Sequence, residues 1–103
     1  MSISERYRDI VNNIGSFIEQ PRDAEPGKEA RQVEKALVTL RELAESVGEI
    51  PRIRLESELT PVLLKAHSQL DRARLLCEES GAEDDGAAIW ELEQQIYRLL
   101  NDL

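Results

Sequence analysis

Apolar side chains recur at intervals of three and four along most of this chain, the spacing that lines up one face of an α-helix. Ile3, Tyr7, Ile10, Ile14 and Phe17 form the first such row, with Val11 and Ile18 beside them. At one residue per 100° they fall within an arc of about 120°, a single buried face. Ser2 and Glu5 have the spacing of a capping box, and Pro21 stops the segment, which predicts a helix over 3–20. A second row, Ala30, Val33, Leu37, Leu40, Ala44 and Val47, is widened by Ala36 and Leu43. It predicts a helix over 26–47, capped by Asp23 or a neighbour and ended by Gly48 in a left-handed conformation. Val38 is the one apolar residue on its opposite face.

The stretch 48–60 is mixed. Ile50, Ile53, Leu55 and Leu59 are too apolar for a free linker, so a short turn or partial helix across one end of the molecule is expected. The alternation Ile53-Arg54-Leu55-Glu56 has strand character, but it is short and has no second strand to pair with. Thr60-Pro61 reads as a helix start, a capping hydroxyl followed by proline at the first helical position. The third helix is thus expected over 61–80, with Leu63, Ala66, Leu70, Ala73 and Cys77 inward, Val62 and Leu76 flanking them, and Gly81 as its stop. An acidic turn follows, with Asp84 or Asp85 as cap, and a fourth helix over 87–103 faces inward through Ile89, Leu92, Ile96, Leu99 and Leu103.

Four helices of this length with short connectors predict an all-α four-helix bundle, up-down-up-down and antiparallel, forming one domain over 1–103. The alternative is a pair of long helical hairpins whose core is completed only by dimerisation.

The helices are not equivalent. In the fourth, Trp90 and Tyr97 project roughly 130–150° from the centre of the main stripe. Leu100 lies between, and Glu93 is the main interruption of the widened apolar arc. In the third, Leu64 and Leu75 share a stripe with Ser68 and Asp71 away from the main face. A helix with two apolar faces is central in its own bundle or is covered by another chain. Tryptophan and tyrosine are favoured as interface anchors, so Trp90, Tyr97 and Leu100, with Leu64 and Leu75 as lesser candidates, are the expected partner-binding residues.

Composition narrows the classes of function. The chain is 41% apolar and 33% charged, a balance that folds rather than remains disordered. Eight acidic side chains and one base lie within 78–103, so that segment carries −7 of the net −8. Such an acidic third repels phosphate backbones and argues against direct nucleic-acid binding. It suits a basic protein partner or simple solubility. No apolar run approaches a bilayer span, and no secretory leader precedes the first helix, so a cytoplasmic location is expected.

Catalytic chemistry finds little to stand on. His67 is the one histidine, which removes triads and metal sites built on several histidines. A small acidic helical bundle with one helix-borne histidine resembles the histidine phosphotransfer domains. Those domains place Lys and Gly three and four positions after the histidine, where this chain has Leu70 and Asp71, and the reading is kept only as a distant alternative. Glu83-Asp84-Asp85-Gly86 looks like a calcium loop, but in that register Gly81 and Leu92 occupy two essential ligand positions. Cys77 lies on the main apolar stripe beside Glu78 and Glu79, surroundings that raise a thiol pKa and suit packing rather than reactivity. No phosphate-binding glycine loop or nucleophile elbow is present. No cofactor, metal or catalytic residue is expected.

The function these features favour is a non-enzymatic protein–protein interaction module: an adaptor, a regulatory subunit or a small chaperone-like partner, acting on another protein or on itself as a homodimer. A different class is an acidic inhibitor whose Glu78, Glu79, Glu83, Asp84, Asp85, Glu91 and Glu93 stand in for nucleic-acid phosphates.

Overall fold

A computed structural model of the protein describes residues 1–21 and 27–103. Four α-helices follow one another: α1 (Ile3–Glu19), α2 (Lys28–Ala44), α3 (Arg52–Ser80) and α4 (Glu83–Asn101), with a 3-10 turn, Val47–Glu49, between α2 and α3. Each helix packs on its chain neighbours and α1 also packs on α4, which closes a four-membered ring around one core. Cross-helix pairs show every neighbour antiparallel: Arg8 with Ala44, Thr39 with Gln69, His67 with Glu93, and Arg6 with Asp102. The fold is the all-α, up-down-up-down bundle that the periodicity predicts.

The inward stripes are the expected ones. Ile10, Ile14, Val33, Leu37, Leu40, Leu63, Leu70, Ile89, Ile96 and Leu99 are all buried. Two polar contacts pin the helices in register. The buried Tyr7 hydroxyl donates to the Leu40 carbonyl, and the Thr39 hydroxyl bridges the Lys35 carbonyl and the Gln69 side chain at 2.9 Å each. At the start of α1 the Ser2–Glu5 capping box is complete.

Several boundaries differ from expectation, each for a local reason. The start of α2 expected at Pro26 and its cap at Asp23 lie outside the described residues. At its other end α2 stops at Ala44, before Val47, and Gly48 is not left-handed; among the described residues only Gly81 has a positive φ. The exposed carbonyls of that end are met instead by Arg8, which donates to Ala44 at 3.0 Å and to Glu45 at 3.5 Å. A cation there also complements the helix dipole. The chain then folds into the 3-10 turn, from which Val47 still reaches the core.

The largest difference is at α3, which begins at Arg52 and runs 29 residues through Pro61. Thr60-Pro61 is not a helix start: within 48–60 the connector is confined to the 3-10 turn and the two residues after it, and the rest is helix. Proline inside a helix costs about 3 kcal/mol because the carbonyl four residues earlier loses its partner. Here Pro61 and Ser57 both face solvent, so water can serve the orphaned Ser57 carbonyl. Continuing the helix keeps Leu59 in line with Leu63 and buries it completely, which returns about 1.5–3 kcal/mol. The partly buried Leu55 adds to that. At about 1.5 Å per residue α3 spans the whole 44 Å long dimension of the molecule.

At its far end α3 stops where expected. Gly81 is left-handed, φ 77°, and Ala82 N–H donates to Cys77 and Gly81 N–H to Glu78, a Schellman closure. The turn is tighter than anticipated: α4 starts at Glu83, with Ala82 as cap rather than Asp84 or Asp85. Glu83, Asp84 and Asp85 form its first turn, where negative charge favours the helix N-terminus. Gly86 lies within the helix and is buried; a Cβ there would sit 3.6 Å from the Cβ of Cys77, so α3 and α4 approach closely at that end.

Candidate functional site

The seam between α3 and α4 is where charge and exposed apolar surface meet. On α3, His67, Asp71, Arg74 and Glu78 follow one another at helical spacing, so they share the flank turned toward α4. On α4 the same flank carries Glu93, with Trp90 one turn before it and Tyr97 one turn after. Arg74 is the hub. Its Nε and Nη2 donate to Asp71 Oδ1 at 3.0 and 2.9 Å, and its Nη1 donates to Glu78 at 2.6 Å. Its guanidinium carbon stands 5.6 Å from the centre of the Trp90 ring, within cation–π range.

Beneath this network lies Glu93, with no exposed surface at all. Arg74 Nε approaches it at 3.5 Å and His67 Nε2 at 3.7 Å, but neither carboxyl oxygen accepts a hydrogen bond. Burial, then the hydrogen bond and negative charge of Asp71, push the Glu93 carboxyl up to about 8. At Asp71 burial also pushes upward, but hydrogen bonds from Arg74 and Glu93 and the charge of Arg74 outweigh it and hold that carboxyl below its usual range. The opposite shifts favour a proton on Glu93 over one on Asp71.

The apolar candidates flank this polar floor. Trp90, Tyr97, Leu64 and Leu75 are each between 46% and 53% exposed. The His67–Glu93 and Arg74–Trp90 pairs set the register: Leu64, one turn before His67, comes level with Tyr97, and Leu75 comes level with Trp90. Four half-exposed apolar side chains from two helices therefore border one face. Leu100 sits lower, partly buried against the core. Between Trp90 and the end of α3 opens a groove of about 440 Å³, bordered by Arg74, Glu78 and Glu83 and floored by Ala82, Gly86 and Ala87. Val38 is exposed on α2 as expected, and Ile53, 90% exposed at the start of α3, is the most exposed large apolar side chain.

Glu93 lies elsewhere than its sequence pattern predicts. It does interrupt the apolar arc, but it is wholly buried and so is no surface acid of the kind a phosphate mimic needs. Asp71, expected on an outer stripe of α3, is turned to α4. The available signal was the neighbourhood of Glu93: Ile89 and Trp90 precede it by four and three positions, and Ile96 and Tyr97 follow it by three and four. An acid so enclosed along a helix is buried when a second helix supplies a polar row, here His67, Asp71 and Arg74. Two further acids of the mimic set are already paired, Glu78 with Arg74 and Glu91 with Arg98.

His67 is one-third exposed, and its Nε2 faces the Glu93 carboxyl at 3.7 Å. Cys77 is buried. Among the described residues no group of three or more His, Cys, Asp or Glu is placed to hold a metal ion. Nor is any of their helices long and apolar enough to cross a membrane. No protein-family model, curated protein or solved structure matches the chain.

Proposed function

We propose that the protein is a non-enzymatic interaction module whose working surface is the α3–α4 face. The observation that carries this reading is the gathering of Trp90, Tyr97, Leu64 and Leu75, all about half exposed, on that one face. Aromatic anchors bordered by aliphatic side chains are the composition of interface hot spots. The fitting partner is a protein segment with an apolar helix face flanked by Lys or Arg. Glu78 and Glu83 are exposed at the groove beside Trp90, and opposite charge there speeds encounter and excludes acidic competitors. A second copy of the chain would bring the same acidic border against its own.

The test uses two synthetic amphipathic helical peptides of Leu with Lys and of Leu with Glu, titrated against Trp90 fluorescence and tyrosine-free controls, with mass followed by light scattering. The Leu/Lys peptide should bind wild type and fail against Trp90→Glu with Tyr97→Glu. Equal binding of both peptides, binding of neither, or binding retained by the double variant (followed by peptide anisotropy) would overturn the reading. A wild-type mass of two chains would assign the face to self-association instead.

A further inference from the structure

We infer that the α3–α4 seam is a proton-dependent joint, closed while the Glu93 carboxyl carries a proton directed at Asp71 and loosened when that proton leaves. This stands independently of which partner, if any, the face binds.

The geometry requires the proton. Glu93 is wholly buried and accepts no hydrogen bond from any described group. The groups facing it from α3 are His67, Asp71 and Arg74, with Glu78 behind Arg74. The other helix packed on α4 is α1, and its polar contacts, Arg6–Asp102 and Asn13–Gln95, lie on the opposite flank. Arg74 already gives its Nε and Nη2 to Asp71 and its Nη1 to Glu78. An ionised Glu93 would therefore be a third carboxylate around one guanidinium, wholly buried beneath the partly exposed Asp71 and Arg74. With its proton, the same carboxyl becomes a donor and Asp71 its acceptor, and the conflict disappears.

The consequence of ionisation is directional. A buried Glu93 anion and the partly exposed Asp71 anion on the facing helix repel, and Glu93 gains by admitting water to the seam. α4 meets a helix on that flank only through α3, so relief comes by parting the two. Trp90 and Tyr97 project from α4 on either side of Glu93, so the face they form changes with the joint. The upward shift of Glu93 to about 8 places proton loss in the mildly alkaline range.

Two measurements on the full chain decide the matter. The Glu93 side-chain carboxyl is followed by carbon NMR from acid to mildly alkaline pH, and native-state Trp90 emission is followed over the same range in wild type and Glu93→Gln. The expected carboxyl midpoint lies more than two pH units above an ordinary glutamate, with a Trp90 emission change at the same midpoint. Glu93→Gln keeps His67, Asp71 and Cys77 and should lose that emission change entirely. A carboxyl midpoint in the usual glutamate range, or an emission change that persists in Glu93→Gln, overturns the inference. Should the variant fail to fold, the wild-type carboxyl titration and its coincidence with the Trp90 signal still decide.

Discussion

Glu93 and Tyr7 are both buried polar groups, and they answer to pH and substitution in different ways. For Glu93 the folded-state pKa, about 8, lies above the ordinary 4.5. Its contribution to stability is thus fully present below pH 4.5, declines through the window between, and is spent above 8. The slope in that window is at most about 1.4 kcal/mol per pH unit for one proton. Asp71 acts oppositely: its lowered pKa gives stability that is lost only as pH falls through the acid range. Denaturant unfolding across pH should therefore place the maximum near the acid end of the window, and Glu93→Gln should flatten the decline toward pH 8. Tyr7 offers a simpler case. Tyr7→Phe removes the hydroxyl that donates to Leu40 and should cost about 0.5–1.5 kcal/mol, read as a lower thermal midpoint with unchanged helix content.

At the level of helices, α3 is the element whose length the sequence hid. Pro61 sits inside it, so Pro61→Ala should restore a hydrogen bond to Ser57 and stabilise the protein, by up to about 3 kcal/mol. Had Pro61 been the first helical residue, the same substitution would be neutral or harmful, so thermal unfolding separates the two. Gly15 lies within α1 with nothing within 4 Å of where a Cβ would stand. Gly15→Ala should add about 0.5–1 kcal/mol, or several degrees in Tm. The inward stripes were readable because a three-four spacing admits one helical face. Helix ends were less so, because tertiary groups chose them: Arg8 closes α2 from another helix, and the burial of Leu59 carries α3 past its proline. The same distinction holds at the seam. Trp90, Tyr97, Leu64 and Leu75 stand out as second-face residues from spacing alone, whereas the burial of Glu93 depends on which row of α3 lies opposite it.

For the molecule as a whole, the core does not include the proposed working face, so the two can be altered separately. Trp90→Glu with Tyr97→Glu should cost about 1–2 kcal/mol, through the lost Arg74–Trp90 contact and the buried half of each ring, leave the helical fold intact and remove partner binding. Calorimetry and light scattering of the pair of proteins check both halves of that expectation. The other whole-molecule feature is the length of α3. Its first two turns run beyond the ends of the helices around it and leave Arg52, Ile53, Arg54, Glu56 and Ser57 exposed. Only Leu55 and Leu59 tie these turns to the core, and a helical end held by so few contacts opens below the free energy of unfolding the bundle. Brief trypsin treatment should consequently cleave after Arg52 and Arg54 well before it reaches Arg72 or Arg74. The helix that organises the bundle thus also carries a point of early proteolytic entry, at the end farthest from the Gly81 turn.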